Sequence, residues 1–191
     1  MELKQARVLS NAEMKRVLAL CGASKNGKRN RIAVLLSHYA GLRVGEIASL
    51  KWGQVSAADG SVRSSFYLRA DQTKANEARE VHLNTSIQKE LNAYRAELGE
   101  RTSPTMHVIQ SQKGGGFSAN SLCQLFSRIY TAAGISGASS HSGRRWFITR
   151  LAHSGVSPKV IMELAGHKHL TTTQRYIDVT ADMKAQAVRL L

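Results

Sequence analysis

Apolar residues recur at helical spacing along most of the chain and alternate in strand fashion in only one region. Ser10 and Glu13 form a capping-box pattern, and Met14, Val17, Leu18 and Cys21 then share a face, which predicts a first helix over 11–21. The basic stretch 24–31, SKNGKRNR, reads as a loop ahead of an apolar helix over 32–39 that Gly41 is placed to terminate. A third helix is expected to start near Arg43 and to turn Ile47 and Leu50 inward.

From Ser61 the texture changes. Val62, Phe66, Tyr67 and Leu68 form one apolar run and 79–83 another, with a polar segment holding Lys74 and Asn76 between them, a hairpin pattern. Thr85 or Ser86 can cap a helix through Leu98 whose inner face is Ile87, Leu91, Tyr94 and Leu98. A loop over 99–104 and a short strand over 106–109 follow, and then QKGGGF, the most flexible-looking piece of the chain. Helices are predicted over 118–133, closed by Gly134, and over 142–153, 158–165, 172–177 and from 181 to the end; Pro158 sits in the first turn of its helix. No repeat or internal boundary divides the chain. The expected fold is α+β, mainly helical with a small antiparallel sheet, as one domain over 1–191.

Composition narrows the partner. Lys and Arg number 27 against 13 Asp and Glu, a formal charge of +14, which exceeds what a solubilising surface needs and points to a polyanion. Nucleic acid fits better than a membrane surface, because the positive charge is not gathered on one amphipathic helix. The two cysteines, Cys21 and Cys123, lie in apolar helical segments without metal-ligand spacing and read as buried thiols in a reducing compartment. The N-terminus has no apolar signal core and the longest aliphatic run, 32–36, is too short to span a bilayer, so the cytoplasm is the expected location.

The candidate chemistry gathers in 141–176. His141 and Arg144, at i and i+3, would share a face at a helix start whose amides favour an anion; as a pair alone they are also an ordinary surface motif. His167, in LAGHKHL, is presented from a turn after a glycine, and an HxH metal pair with His169 is the alternative, lacking further ligands nearby. Tyr176, in TTTQRYIDV, is either a packed aromatic or a phenol able to reach a substrate; as a nucleophile it needs a base or cations to favour its anion. Earlier in the chain, Arg43 and Glu46 in GLRVGEI make either a helix salt bridge or a phosphate fork held by a carboxylate, and Lys74 is a flexible cation near the hairpin turn.

Taken together, GLRVGEI, TKANEAREVHL, HSGRR and LAGHKHLTTTQRY, in this order and spacing, resemble the catalytic domain of the tyrosine recombinases, or phage integrases, from about residue 6 to 178. The resemblance implies that fold and a site of Arg43, Glu46, Lys74, His141, Arg144, His167 and the nucleophile Tyr176. Gly143 departs from it, standing where many relatives have leucine, and the N-terminal core-binding domain that clamps DNA in typical members is expected to be missing. Either the chain is an excised catalytic domain or it resembles the short recombinases that work without a clamp. The resemblance implies site-specific cleavage and rejoining of double-stranded DNA through a 3′-phosphotyrosyl intermediate, with no metal, cofactor or ATP. Further expectations are a monomer in solution, a homotetramer on DNA and accessory DNA-bending proteins. A DNA-binding regulator without strand exchange and a type IB topoisomerase-like nicking and sealing enzyme are the competing readings.

Overall fold

Helix α1 (Asn11–Gly22) starts at Ser10, whose Oγ accepts from Glu13 N at 3.2 Å while the Glu13 carboxylate accepts from Ser10 N at 2.8 Å. It buries Met14, Val17 and Cys21 and packs on α2 (Gly27–Tyr39). The computed structural model describes residues 6–99, 102–177, 179 and 181–189. Helix α2 begins at Gly27, inside the basic run expected to be a loop. Arg29 and Asn30 are buried there: Arg29 donates through Nη1 to Gln110 O at 2.8 Å and through Nη2 to Asn30 Oδ1 at 2.8 Å, and its guanidinium lies 5.1 Å from the centre of the Phe117 ring. Hydrophobic periodicity misses such residues, because a buried arginine is tolerated once its donors are filled. Gly41, at φ +64°, ends the segment, and α3 (Val44–Ser49) then turns Ile47 and Leu50 fully inward, as expected. A one-turn helix, α4 (Trp52–Val55), was not legible in the pattern.

The hairpin is present and shorter than expected. Strands β1 (Ser65–Leu68) and β2 (Arg79–His82) pair antiparallel, with Phe66 opposite Val81 and Leu68 opposite Arg79. Val62 lies outside them, bridged to Ser56. Helix α5 (Thr85–Leu98) is capped by Asn84, whose side chain accepts from Ile87 N at 2.9 Å, and not by Thr85 or Ser86. The strand expected over 106–109 forms only isolated bridges, Lys51 to His107 and Gln110 to Gly116; Val108 and Ile109 are apolar because they are fully buried, not because they lie in a sheet. Helix α6 (Ala119–Ala132) is capped by Ser118 and followed by Gly134 at φ +66°.

Helices α7 (Ser142–His153), α8 (Pro158–Ala165), α9 (Leu170–Gln174) and α10 (Ala181–Val188) complete the described chain, which is mainly helical with one two-stranded sheet. Helix α9 begins two positions before the expected 172 and ends before Tyr176. Helix α7 packs along α2, and this close approach explains Gly143: a Cβ there would lie 2.7 Å from His38 Nδ1 and closer still to Ser37 Oγ. A second apolar cluster of Ile148, Ala152, Ile161 and Ala165 joins α7 to α8, with Phe147, Leu151, Val156, Tyr176 and Ile177 packed against it. Burial pushes the Cys21 thiol up to about 11, so it is protonated and inert near neutrality. Among the described residues, no helix is long and apolar enough to cross a membrane.

Candidate active site

The site is built on the end of α8. A helix leaves its last carbonyls without intrahelical donors, and they form the negative end of its dipole. Here three consecutive carbonyls are taken by three arginines from distant parts of the chain. Arg79 Nη1 donates to Leu164 O at 3.0 Å, Arg144 Nη2 donates to Ala165 O, and Arg43 Nη2 donates to Gly166 O at 3.4 Å. Gly166 closes the helix in the left-handed region, at φ 61° and ψ 51°, and a Cβ on it would lie 2.8 Å from Arg79 Nε.

The other ends of these guanidiniums fix the site to the body of the protein. Arg144, 5% exposed, donates through Nη1 to Gly41 O at 2.7 Å. Arg43, at the N-cap of α3, donates to Glu46 through Nη1 at 3.0 Å and through its backbone N at 2.7 Å, and Arg79 Nη2 reaches the same carboxylate at 2.8 Å. Burial opposes ionisation of Glu46, which is 1% exposed, but the charge and hydrogen bond of Arg79, with those of Arg43, outweigh it and hold the carboxyl below its usual range. Three guanidiniums therefore face one carboxylate. Burial first, and then Arg43, pull Arg144 down to about 9, which leaves it charged at neutral pH.

His167 follows Gly166, with its Nδ1 2.9 Å from Thr173 Oγ1. Burial, then Arg144, Arg43 and Arg79, press its pKa down to about 4, so the ring is neutral at pH 7. The ring of Tyr176 stacks on it, centroids 5.8 Å apart and planes 23° from parallel, and the Arg145 guanidinium lies 5.9 Å from the centre of the Tyr176 ring. Tyr176 is half-buried.

Five of the seven residues singled out in the sequence are thus linked around the α8 terminus: Arg43, Glu46, Arg144, His167 and Tyr176. Lys74 is exposed in the β1–β2 connection and its amine has no hydrogen bond or ion pair among the described residues. That connection lies beside the site all the same, since Glu77 pairs with Lys168 at 2.9 Å. His141 is the N-cap of α7 and is exposed, whereas Arg144, three positions on, is buried. The sequence reading missed Arg79, Thr173 and Arg145. Arg79 carried a signal, because it sits two positions before Val81 and so on the inward side of its strand, an unusual place for an arginine. Among the described residues, no group of three or more His, Cys, Asp or Glu side chains is placed to hold a metal, and His169 caps α9 with its side chain exposed.

A model of the phage integrase family matches residues 7–183. The tyrosine recombinase XerA of Thermococcus kodakarensis is 30% identical over 176 residues, covering 92% of this chain and 59% of the relative. A tyrosine recombinase XerC of Lactobacillus leichmannii is 29% identical over 157 residues, covering 80% of this chain and 51% of the relative. The chain thus spans between about half and three-fifths of these curated relatives' length. In fold it is similar to a crystal structure of an XerA recombinase, with a TM-score of 0.77 at 23% identity over 96% of this chain and 64% of that one. It is also similar to the Tn1549 transposon integrase in complex with circular intermediate DNA, with a TM-score of 0.74 at 20% identity over 100% of this chain and 68% of that one.

Proposed function

The chain belongs to the phage integrase family, and from that premise we propose that it is a site-specific recombinase that cleaves and rejoins double-stranded DNA through Tyr176. The observation that carries this reading is the excess of guanidinium over carboxylate at the α8 terminus, next to a tyrosine and a neutral histidine. Arg43, Arg79 and Arg144 against Glu46 leave net positive charge in a largely buried place, and a phosphodiester is the complementary charge.

In the proposed reaction, the Tyr176 oxygen attacks the scissile phosphorus as its proton is lost. A bond forms between phosphorus and the phenolic oxygen, and the bond from phosphorus to the 5′ oxygen breaks. That oxygen leaves as a hydroxyl, and the 3′ end stays on the protein. One phosphodiester replaces another, so no ATP is consumed, and attack by a 5′-hydroxyl reverses the step.

Charge builds on the non-bridging oxygens in the transition state, and preorganised donors there account for most of the acceleration such a site can give. Arg43 and Arg144 supply guanidinium N–H groups. In the tautomer in which Nδ1 accepts from Thr173 Oγ1, His167 carries its proton on Nε2 and adds a neutral donor. Lys74 is the proposed acid for the 5′ oxygen, His141 assists proton movement at the tyrosine, and Glu46 holds Arg43 in place. Lys74 and His141, both exposed, would meet these roles only when DNA covers them.

The test is a nicked duplex that traps the cleaved state, run without ATP. The protein is expected to become covalently attached to the 3′ side of the break and to exchange strands between two sites on a plasmid. Binding with no covalent product contradicts the reading; plasmid relaxation without exchange replaces it with the nicking and sealing alternative.

A further inference from the structure

We propose that Arg79 is a positioning residue for strand cleavage, tying the hairpin that carries Lys74 to Glu46 and to the end of α8, and so aiming Arg43 and His167 at the phosphate. The inference rests on the phosphoryl-transfer reading above.

Arg79 opens β2 on the same side as Val81, facing the protein interior, and its side chain is only 9% exposed. An inward arginine is costly unless both ends of its fork are engaged. Here they are engaged by two different elements: Nη2 meets Glu46 Oε2 on α3 at 2.8 Å, and Nη1 meets Leu164 O on α8 at 3.0 Å. One planar group thus sets the spacing of the strand, the helix that holds Arg43 and the turn that holds His167. A lysine carries its three donors on one nitrogen and lacks the two-nitrogen fork that meets both partners here.

The surroundings are shaped to this span. Glu46 Oε2 is shared between Arg79 and the backbone N of Arg43, while Oε1 receives the Arg43 side chain, so the direction of the carboxylate determines where Arg43 points. Gly166 leaves the room that the stem of Arg79 occupies. Both Arg79 Nη groups are held by protein partners on α3 and α8, and its part is to fix Arg43 and His167 in place.

The test compares wild type, Arg79→Lys, Glu46→Gln and the double variant for DNA affinity, melting temperature and single-turnover cleavage of a nicked duplex at saturating protein. Arg79→Lys is expected to bind DNA as wild type does and to cleave about 10- to 100-fold more slowly, the loss that a small misplacement of reacting groups produces. The double variant is expected to be no slower than the slower single, because the two side chains act as one unit. Wild-type cleavage by Arg79→Lys, a loss accounted for by weaker binding, or single losses that multiply in the double would each overturn the proposal. If Arg79→Lys does not fold, Gly166→Ala displaces the Arg79 stem while keeping its charge, and undiminished cleavage by that variant overturns the proposal instead. Absence of covalent product from wild type sinks the phosphoryl-transfer reading, and this inference with it; wild-type product with no effect at Arg79 sinks this inference alone.

Discussion

The Tyr176 ring lies on the His167 ring, 5.8 Å between centroids, so the proposed nucleophile packs on a histidine of the proposed phosphate site. The stack depends on a flat ring at position 167 as much as on a hydrogen-bond donor. His167→Trp, which keeps a flat ring and an N–H, should therefore retain cleavage to within about tenfold. His167→Ala should lose about 10² or more, as for loss of one transition-state donor. The check is single-turnover cleavage at saturating protein; equal loss in both variants would show that the flat ring is irrelevant.

Arg43 and Arg144 should separate when stability is measured beside rate. Substitution of either by alanine is expected to slow cleavage by about 10² to 10³. Arg144→Ala also leaves Gly41 O and Ala165 O without their donor inside the protein, at about 1–3 kcal/mol for a buried unpaired group, whereas Arg43 is 22% exposed and serves one carbonyl. Denaturant titration should show a marked loss for Arg144→Ala and a small one for Arg43→Ala.

At the α2–α7 crossing, Gly143→Ala should destabilise by about 1–3 kcal/mol, since a Cβ there overlaps Ser37 and His38. Ser37 Oγ is buried without a partner, so Ser37→Ala should be nearly neutral alone and should lessen the cost of Gly143→Ala. Melting temperatures of the two singles and the double check this, and additive effects would contradict it.

Two buried histidines set an acid limit on stability. Burial lowers His38 to about 4, against its bond to Val34 O, and His167 is lowered to the same value. An unfolded histidine titrates near 6.5, so between about pH 6.5 and 4 the unfolded chain binds more protons than the folded one. Stability contributed by these rings is full above about pH 6.5 and is lost as the pH falls toward 4. Urea midpoints measured from pH 8 to 4 should be level and then fall in that window, and His38→Gln should reduce the slope.

Much of this was legible in the sequence because it is local. The capping pair Ser10 and Glu13, Pro158 opening α8, and the glycines at 41, 134 and 166 each fix an element edge through their own backbone chemistry. The partnership of Arg43 with residues some hundred positions later was reached through the motif set, since no periodicity connects them. What escaped was polar burial: the arginines at 29 and 79 count as surface by type, and only the tertiary partners Gln110 O, Glu46 and Leu164 O make them interior. The strand expected over 106–109 failed for the opposite reason, because full burial and sheet pairing leave the same apolar run.

The most direct measurement of the central claim is to trap the covalent product on a nicked duplex, digest the protein and map the nucleotide-bearing residue by mass spectrometry. The account predicts a 3′-phosphate linked to Tyr176 and no adduct in Tyr176→Phe, which should still bind the duplex with wild-type affinity. An adduct on any other residue, or one that persists in Tyr176→Phe, would contradict it.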